Sequence, residues 1–392
     1  MPNTILTPLQ ITRKALMILH QKLNFIGTIN KQYDDQYAKD GAKIGDTLRI
    51  RKPNRYTVRT TVPLAVQDTI EQSINLVVAK RMGVDTTFTS AELTLSLDDF
   101  STRILDPAMS VLAANLEADA MTMYKGVYNI VQNNGAASTL AKVLQCRKIL
   151  TDNLAPLSQR YANLNTQDTV DIITDGKALF NDKSEISSQY KEGRIGRAAG
   201  FDFYENTLWP RHTQGTHNTA YTVGAAGQTG AVLGVAAGTG TILAGDVFTI
   251  AGVFAVHPET KQITTSLQQF TATSDYAGGA GNVNITPAIV TSGGAKNVNA
   301  SPGAGALITF VQAASGSAGV SMFYHRDAFT FATVDLIMPN GVDFKAREVF
   351  DGISMRIIRA YDINSDAFPC RIDVQYGYTT LYEQLACRLA SN

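Results

Sequence analysis

The sequence predicts an α+β fold that carries an inserted all-β module, and three observations support that reading. From Asp99 to Val131 no glycine interrupts the chain before Gly126, and Ala108, Ala113, Ala114, Ala118 and Ala120 favour helix. From Gly45 to Arg59 the pattern switches to period two, the mark of strands. At about Val223 the composition changes. Residues 223–318 hold 16 of the 31 glycines and only five charges, Asp246, Glu259, Lys261, Asp275 and Lys296.

Taken in order, Thr7, Pro8 and Gln10 form a capping box ahead of an apolar stripe of Leu9, Leu16, Leu19, Leu23 and Ile26. This amphipathic helix must pack on its own domain or on another subunit. Next, Leu48 and Ile50 alternate with Arg49 and Arg51, and Tyr56 and Val58 alternate with Thr57 and Arg59. With a turn at Lys52, Pro53 and Asn54, the expectation is a hairpin with one basic face. Strand spacing resumes at Ile74, Leu76 and Val78 and again at Val84, Thr86 and Phe88, so the whole reads as a projecting arm. The candidate assembly residues are Arg49, Arg51, Lys52, Arg55 and Arg59 on the arm, with Leu16, Leu19 and Leu23 on the helix. No row of aromatics accompanies the arginines, which favours intersubunit salt bridges over nucleic-acid binding.

Asp106 and Pro107 supply an N-cap and a proline at the first helical position, so a long helix is expected from Pro107 to Val131, stopped by Asn133, Asn134 and Gly135. About 26 residues give a rod of roughly 40 Å, a spine. Only Asp106, Glu117, Asp119 and Lys125 are charged along it, so cover on most sides is expected. Beyond the spine the patterns predict a helix over 138–154, a buried strand over 170–174, and partial helix over 178–190. The glycines between Gly193 and Gly200 lack a following Gly-Lys-Ser/Thr and read as a structural turn. Within 223–318, short alternating runs such as Val247, Thr249 and Ala251 sit between glycine turns. Strand patterns of the earlier kind return at Met322–Thr333, Ile353–Ile357 and Cys370–Tyr376, so the module is an insertion.

Lys plus Arg and Asp plus Glu each number 34, giving zero formal charge. That balance argues against a dedicated duplex-binding protein and favours association. Cys146, Cys370 and Cys387 form no CxxC pair and are expected to be reduced thiols. The longest apolar run near the start, Ala15 to Leu19, is too short for a secretory signal, and none approaches a membrane span of roughly 20 residues. No motif assigns a catalytic, cofactor-binding or metal-ligating residue. His212 and His217, beside Trp209, form a conceivable metal pair without a third ligand. His257 and His325 read as histidines of the fold, and the pairs Asp34–Asp35 and Asp98–Asp99 as caps or solvated surface.

This order of elements, with the stretches VDTTFTSAELTLSLDDF (84–100), ILDPAMSVLAANLEADAM, GRAAGFDFYENTLWP (196–210), FYHRDAFTFAT (323–333) and CRIDVQYGY (370–378), resembles the major capsid proteins of tailed phages with the Hong Kong 97-type fold. Within that group GDVFTIAGVFAVHPETKQ, QFTATSD and VNITP are similar to the β-barrel insertion of the coat proteins typified by a Salmonella podovirus. The resemblance implies an N-terminal arm and helix (1–40), an extended β loop (41–90), a peripheral domain with the spine (91–137), a first axial part (138–222), the inserted barrel (223–318) and the remaining axial and peripheral parts (319–392). It further implies a non-enzymatic homo-oligomer of hexamers and pentamers in the virion. Such a shell is assembled in the host cytoplasm with a scaffolding protein and a portal, and it encloses double-stranded DNA without sequence-specific binding. No membrane, cofactor, covalent crosslink or fused scaffold segment is expected. Two alternatives stand beside it: an encapsulin-like nanocompartment shell, and a glycan-binding adhesin or polysaccharide-active enzyme built on the glycine-rich module, against which the single tryptophan speaks.

Overall fold

The computed structural model describes residues 8–34, 47–59, 72–88, 104–133, 135–176, 196–342, 344–363 and 368–391. Thr7 of the expected capping box, Asp35, the pair Asp98–Asp99 and the stretch 178–190 lie outside them. Two units emerge, one of residues 1–51, 73–121 and 329–379, the other of 52–72, 122–328 and 380–392.

The first unit is built on a six-stranded sheet in the order Asn30–Asp34, Phe329–Val334, Phe368–Thr380, Ile353–Arg359, Phe344–Phe350, with Lys80–Phe88 also paired to Phe368–Thr380. Helix α1 (Pro8–Lys22) lies on the spine helix and on strand Phe344–Phe350. Leu16, Leu19 and Leu23, expected among the assembly residues, are buried within the single chain, which already removes their apolar area from water. A short helix α2 (Phe25–Thr28) follows. The spine, α3, runs from Asp106 to Met121, passes into a 3-10 turn over Thr122–Gly126, and is therefore shorter than expected. The β-branched and aromatic run that follows is drawn into sheet structure instead, Ile130–Gln132 pairing in parallel with Ala386–Ser391. Glu117 is buried within α3, and its Oε1 accepts the backbone N–H groups of Phe25 at 2.6 Å and Ile26 at 3.3 Å. These donors open α2 and have no partner within that helix.

The arm departs from the expected hairpin. Thr47–Lys52 pairs with Gln72–Val77 and not with 56–58. Pro53 offers no N–H to a ladder, and residues 53–59 carry no strand. Lys80–Phe88, read as part of the arm, is a strand of the core sheet, and Gly83 permits its close pairing: a Cβ there would stand 2.5 Å from the Ile372 carbonyl oxygen.

The second unit contains a sheet ordered Ile130–Gln132, Ala386–Ser391, Ser317–His325, Arg160–Leu164, Phe201–Glu205, Arg197–Ala198. Helices α4 (Leu140–Asp152) and α5 (Thr166–Gly176) contribute Val143, Cys146, Leu150 and Ile172 to the core shared with Phe201, Phe323 and Leu389. The expected strand over 170–174 is part of α5. Asn165 explains the difference, because its Oδ1 accepts the Asp168 N–H at 2.7 Å and its carbonyl accepts the Thr169 N–H, starting a helix before Val170 is reached. Gly193 to Ile195 of the glycine-rich segment lie outside the described residues; in the remainder a turn with Gly200 at φ +83° joins Arg197–Ala198 to Phe201–Glu205.

The inserted residues form a second sheet ordered Thr222–Val223, Gly230–Ala237, Gly281–Ile289, Ile263–Ala272, Val247–Val256, Ile308–Phe310. Hydrogen bonds from Ile308 N–H to Tyr221 O and from Val223 N–H to Ala306 O join its first and last strands and close a barrel. Alternate residues point inward, among them Leu233 and Val235, Phe248 and Ile250, Phe270 and Ala272, and Val283 and Ile285. The entering and leaving chains run side by side, with Arg211, His212 and Thr213 opposite Gly319, Ala318 and Ser317.

Asp168 is fully buried and accepts from Ser138 Oγ (2.7 Å), Ser321 Oγ (2.5 Å), Asn165 Nδ2 (3.0 Å) and Ser391 Oγ, so one carboxylate joins α5 to two strands and to the lead-in of α4. Asp168→Ala strands three hydroxyls in the core. It is expected to cost about 3 kcal/mol or more, read as a lower denaturation midpoint of the unassembled chain, with Asp168→Asn costing less. An Asp168→Ala midpoint equal to wild type would remove this role.

Candidate assembly surface and insertion joint

Along Thr47–Lys52 exposed and half-buried residues alternate. Leu48 and Ile50 pack on Leu76, Val78, Ala332 and Val334, which turns Arg49 and Arg51 outward. Arg49 Nε donates to Ser73 Oγ on the partner strand at 2.8 Å, fixing the guanidinium along the ribbon. Arg59, expected on the same face, lies beyond the strand in the exposed segment 53–59. Lys52 and Arg55 belong to the second unit, where Lys52 Nζ sits 5.0 Å from the Tyr382 ring centroid. The structure therefore brings Arg49 and Arg51 together on one face of a strand that Lys52 ends, while Arg55 and Arg59 lie beyond that strand.

In the first unit, strand Lys80–Phe88 is tied to the spine through Asp119. Its carboxylate accepts from Lys80 Nζ at 2.7 and 2.9 Å, from Tyr376 OH at 2.8 Å and from Tyr378 OH at 3.0 Å. Burial pushes this carboxyl up, but the hydrogen bonds from Lys80 and the two tyrosines more than offset it and hold it below the ordinary carboxylate value. Nearby, Asp373 is buried between Arg356 Nη2 (2.8 Å) and Arg81 Nη2 (2.5 Å).

In the second unit, the barrel is joined to the neighbouring sheet by buried polar groups. Arg388, fully buried on the last strand, donates from Nη1 to the Gly245 carbonyl at 2.8 Å and from Nη2 to Thr271 Oγ1 at 3.4 Å, with its guanidinium 5.8 Å from the Tyr124 ring centroid. Burial lowers its pKa to about 10 against the opposing pull of Tyr124 and Asp246. Tyr124 OH meets His212 Nδ1 at 3.0 Å, and His212 Nε2 meets Asp246 Oδ1 at 3.1 Å. Asp246 Oδ2 also accepts the N–H groups of Gly215 and Leu243. Alongside, Gln269 imitates a strand: its Oε1 accepts the Ile130 N–H at 2.9 Å and its Nε2 donates to the Ile130 carbonyl at 3.1 Å. His217 stacks on Phe310 at 3.7 Å, so the two histidines serve the joint and the barrel, and among the described residues no three metal-ligating side chains converge. Trp209, the single tryptophan, is buried with its Nε1 donating to Asn163 Oδ1 at 2.6 Å, which removes it as a sugar platform.

Sequence reasoning missed this joint. The available signal was a lone charge in apolar surroundings, as at Arg388 in Ala386–Ser391.

A closed barrel thus sits on an α/β sheet, in a chain that also carries a spine helix and a basic ribbon. The family described as P22 coat protein - gene protein 5 matches residues 23–386. The chain belongs to that family. It is a major capsid protein of the tailed-phage type with the Hong Kong 97-type fold, a structural protein of the virion shell, and the nanocompartment alternative gains no better support. Curated proteins give no match. Among solved structures, the coat subunit is similar to the mature capsid of bacteriophage PhiM1 (11% identity, 93% of this chain and 86% of that one, TM-score 0.47) and to Mycobacterium phage Che8 (10%, 91% and 88%, 0.44). It is also similar to the CUS-3 coat protein I-domain (25%, 24% and 96%, 0.20).

Because the Asp119 pKa is depressed on folding, its contribution is present above the unfolded carboxylate pKa and is lost as pH falls through the folded value. The Lys80 pKa is raised, against a burial effect that opposes it, by Asp119 and Tyr378, so its contribution is lost only as pH rises past the ordinary lysine value. Asp119→Asn in the coat subunit is expected to cost about 1–2 kcal/mol at neutral pH, with mutant and wild type converging in acid. Denaturation curves that stay parallel down to acid pH would refute the anchor.

Proposed function

We propose that the basic ribbon is the contact through which one coat subunit engages the next, closing hexamers and pentamers into an icosahedral shell around double-stranded DNA. The observation that carries this is the alternation on Thr47–Lys52, where Leu48 and Ile50 anchor the strand and leave Arg49 and Arg51 facing outward. An exposed strand pair needs charge to avoid indiscriminate edge pairing and to select its partner. Closed symmetry then satisfies surfaces that a single subunit leaves open.

On this reading the shell forms in the host cytoplasm with a scaffolding protein and a portal, holds DNA without reading its sequence, and performs no catalysis. The neutral net charge supports the DNA part, since a sequence-reading protein would concentrate basic residues. The barrel of 223–318 is an outward-facing, self-folding domain that stabilises the subunit. Its closure by Tyr221, Ala306 and Ile308, its own apolar interior and its adjacent chain ends support autonomy.

Arg49→Glu with Arg51→Glu is expected to leave subunit stability within about 0.5 kcal/mol while blocking or misdirecting shell formation in sedimentation and electron microscopy. Normal particles would show the ribbon's charge to be irrelevant. Residues 214–317 expressed alone are expected to give a β-rich circular dichroism spectrum and a cooperative melt; a disordered fragment would defeat autonomy.

A further inference from the structure

The root of the arm and the inserted barrel gather positive charge in one place. Chain 52–56 runs against the barrel's 291–297 turn so closely that a Cβ on Gly294 would stand 2.2 Å from the Arg55 carbonyl oxygen. At that turn Lys261 Nζ donates to the carbonyls of Pro258 at 2.5 Å and Lys296 at 3.3 Å. In the same stretch of chain, Lys52 Nζ lies 5.0 Å from the Tyr382 ring centroid. Burial is the larger cause lowering the pKa values of Lys52 and Lys261, and Arg55 lowers both further, as Lys296 does for Lys261. Glu383 opposes this at Lys52 and Glu259 at Lys261, and Arg55 is the cation that acts on both lysines.

We propose that Lys52, Arg55, Lys261 and Lys296 form a docking surface for carboxylates on a second copy of this chain. Like charges held together raise one another's cost, and an opposite charge brought by a neighbour relieves it. The chain as a whole carries 34 basic and 34 acidic residues, so a local basic excess is matched by an acidic excess elsewhere on the same sequence. A shell subunit is surrounded by copies of itself, which places that excess within reach. A carboxylate needs only one or two donors, which Arg55 and Lys296 supply while Lys261 serves two carbonyls and Lys52 an aromatic ring, whereas a polyanion neutralises a longer row of cations. The proposal rests on the arm's being an intersubunit contact, because Lys52 ends the strand that bears Arg49 and Arg51, and Arg55 follows three residues later in the chain.

The test uses full-length Arg55→Glu/Lys296→Glu, which leaves Lys261 and its carbonyl bonds in place. The expected result is an unchanged circular dichroism spectrum, a rise of about tenfold or more in the subunit concentration needed for shells, and a weaker dependence of assembly on salt. Should the glutamates disturb the turn, Arg55→Gln/Lys296→Gln must still raise that concentration by about threefold. Wild-type thresholds and salt dependence in either folded variant overturn the proposal. If Arg49→Glu/Arg51→Glu fails to assemble while Arg55→Glu/Lys296→Glu assembles normally, the arm reading stands and the docking surface falls. Normal empty shells that no longer retain DNA would make the partner nucleic acid and likewise overturn the proposal.

Discussion

Taking a carboxylate out of water costs several kcal/mol unless hydrogen-bond donors replace the lost solvent, and the second unit meets that requirement at Asp168 with three hydroxyls and an amide. Since those donors come from α5 itself, the lead-in of α4 and strands Ser317–His325 and Ala386–Ser391, the charge is satisfied only when four separate pieces of chain are in register. The same constraint recurs wherever distant segments meet. Glu117 is satisfied only when α2 presents its first N–H groups. The two terminal nitrogens of Arg388 find partners when the barrel presents Gly245 and Thr271. Apolar burial supplies most of the favourable free energy, but it is tolerant of small shifts, whereas an ion left without a partner is not.

That division of labour bears on the insertion. A barrel with its own apolar interior and adjacent chain ends is free to orient many ways on its host. Gln269 pairing with the Ile130 backbone, and the chain of Tyr124, His212, Asp246 and Arg388, select one of them by directional bonds. The module's scarcity of charge is consistent with this arrangement, because Asp246 faces the joint while barrel stability comes from residues such as Phe248, Phe270 and Ile285.

The barrel was legible as a β module from its glycine turns and short alternating runs, although alternation of inner and outer residues runs the length of a strand at Gly281–Ile289 and breaks in Val247–Val256 and Ile263–Ala272. The spine was legible as a helix but not in length: apolar residues surround it, so the pattern changes little where Val127 to Val131 leave the helix for a strand. The arm was misread for a different reason. Lys52, Pro53 and Asn54 carry local turn chemistry, yet the partner strand is Gln72–Val77, and pairing over such a separation leaves no mark in a short window. In α5 the run Val170–Asp171–Ile172–Ile173 has strand propensity, which the Asn165 cap overrides. As for the candidate site, Arg49 and Arg51 were readable from alternation, whereas the network around Arg388 joins residues 124, 212, 246 and 388 and exists only in the fold.

The home burial of Leu16, Leu19 and Leu23 changes what the assembly problem looks like. Had that stripe been free, subunits would meet through a large apolar face, strong and poorly selective. With it covered, the ribbon offers a mixed surface of Arg49 and Arg51, next to a chain segment that includes Val58, 91% exposed. Exposed ion pairs are individually worth little and weaken with salt. Repeated around a closed lattice, however, weak contacts of this kind accumulate while each remains reversible, so a misplaced subunit leaves more readily than one held by a buried leucine face. On the reading of the arm proposed above, a chain that spends its apolar stripe on its own spine and keeps its charges at the arm is suited to forming a shell that must close without error.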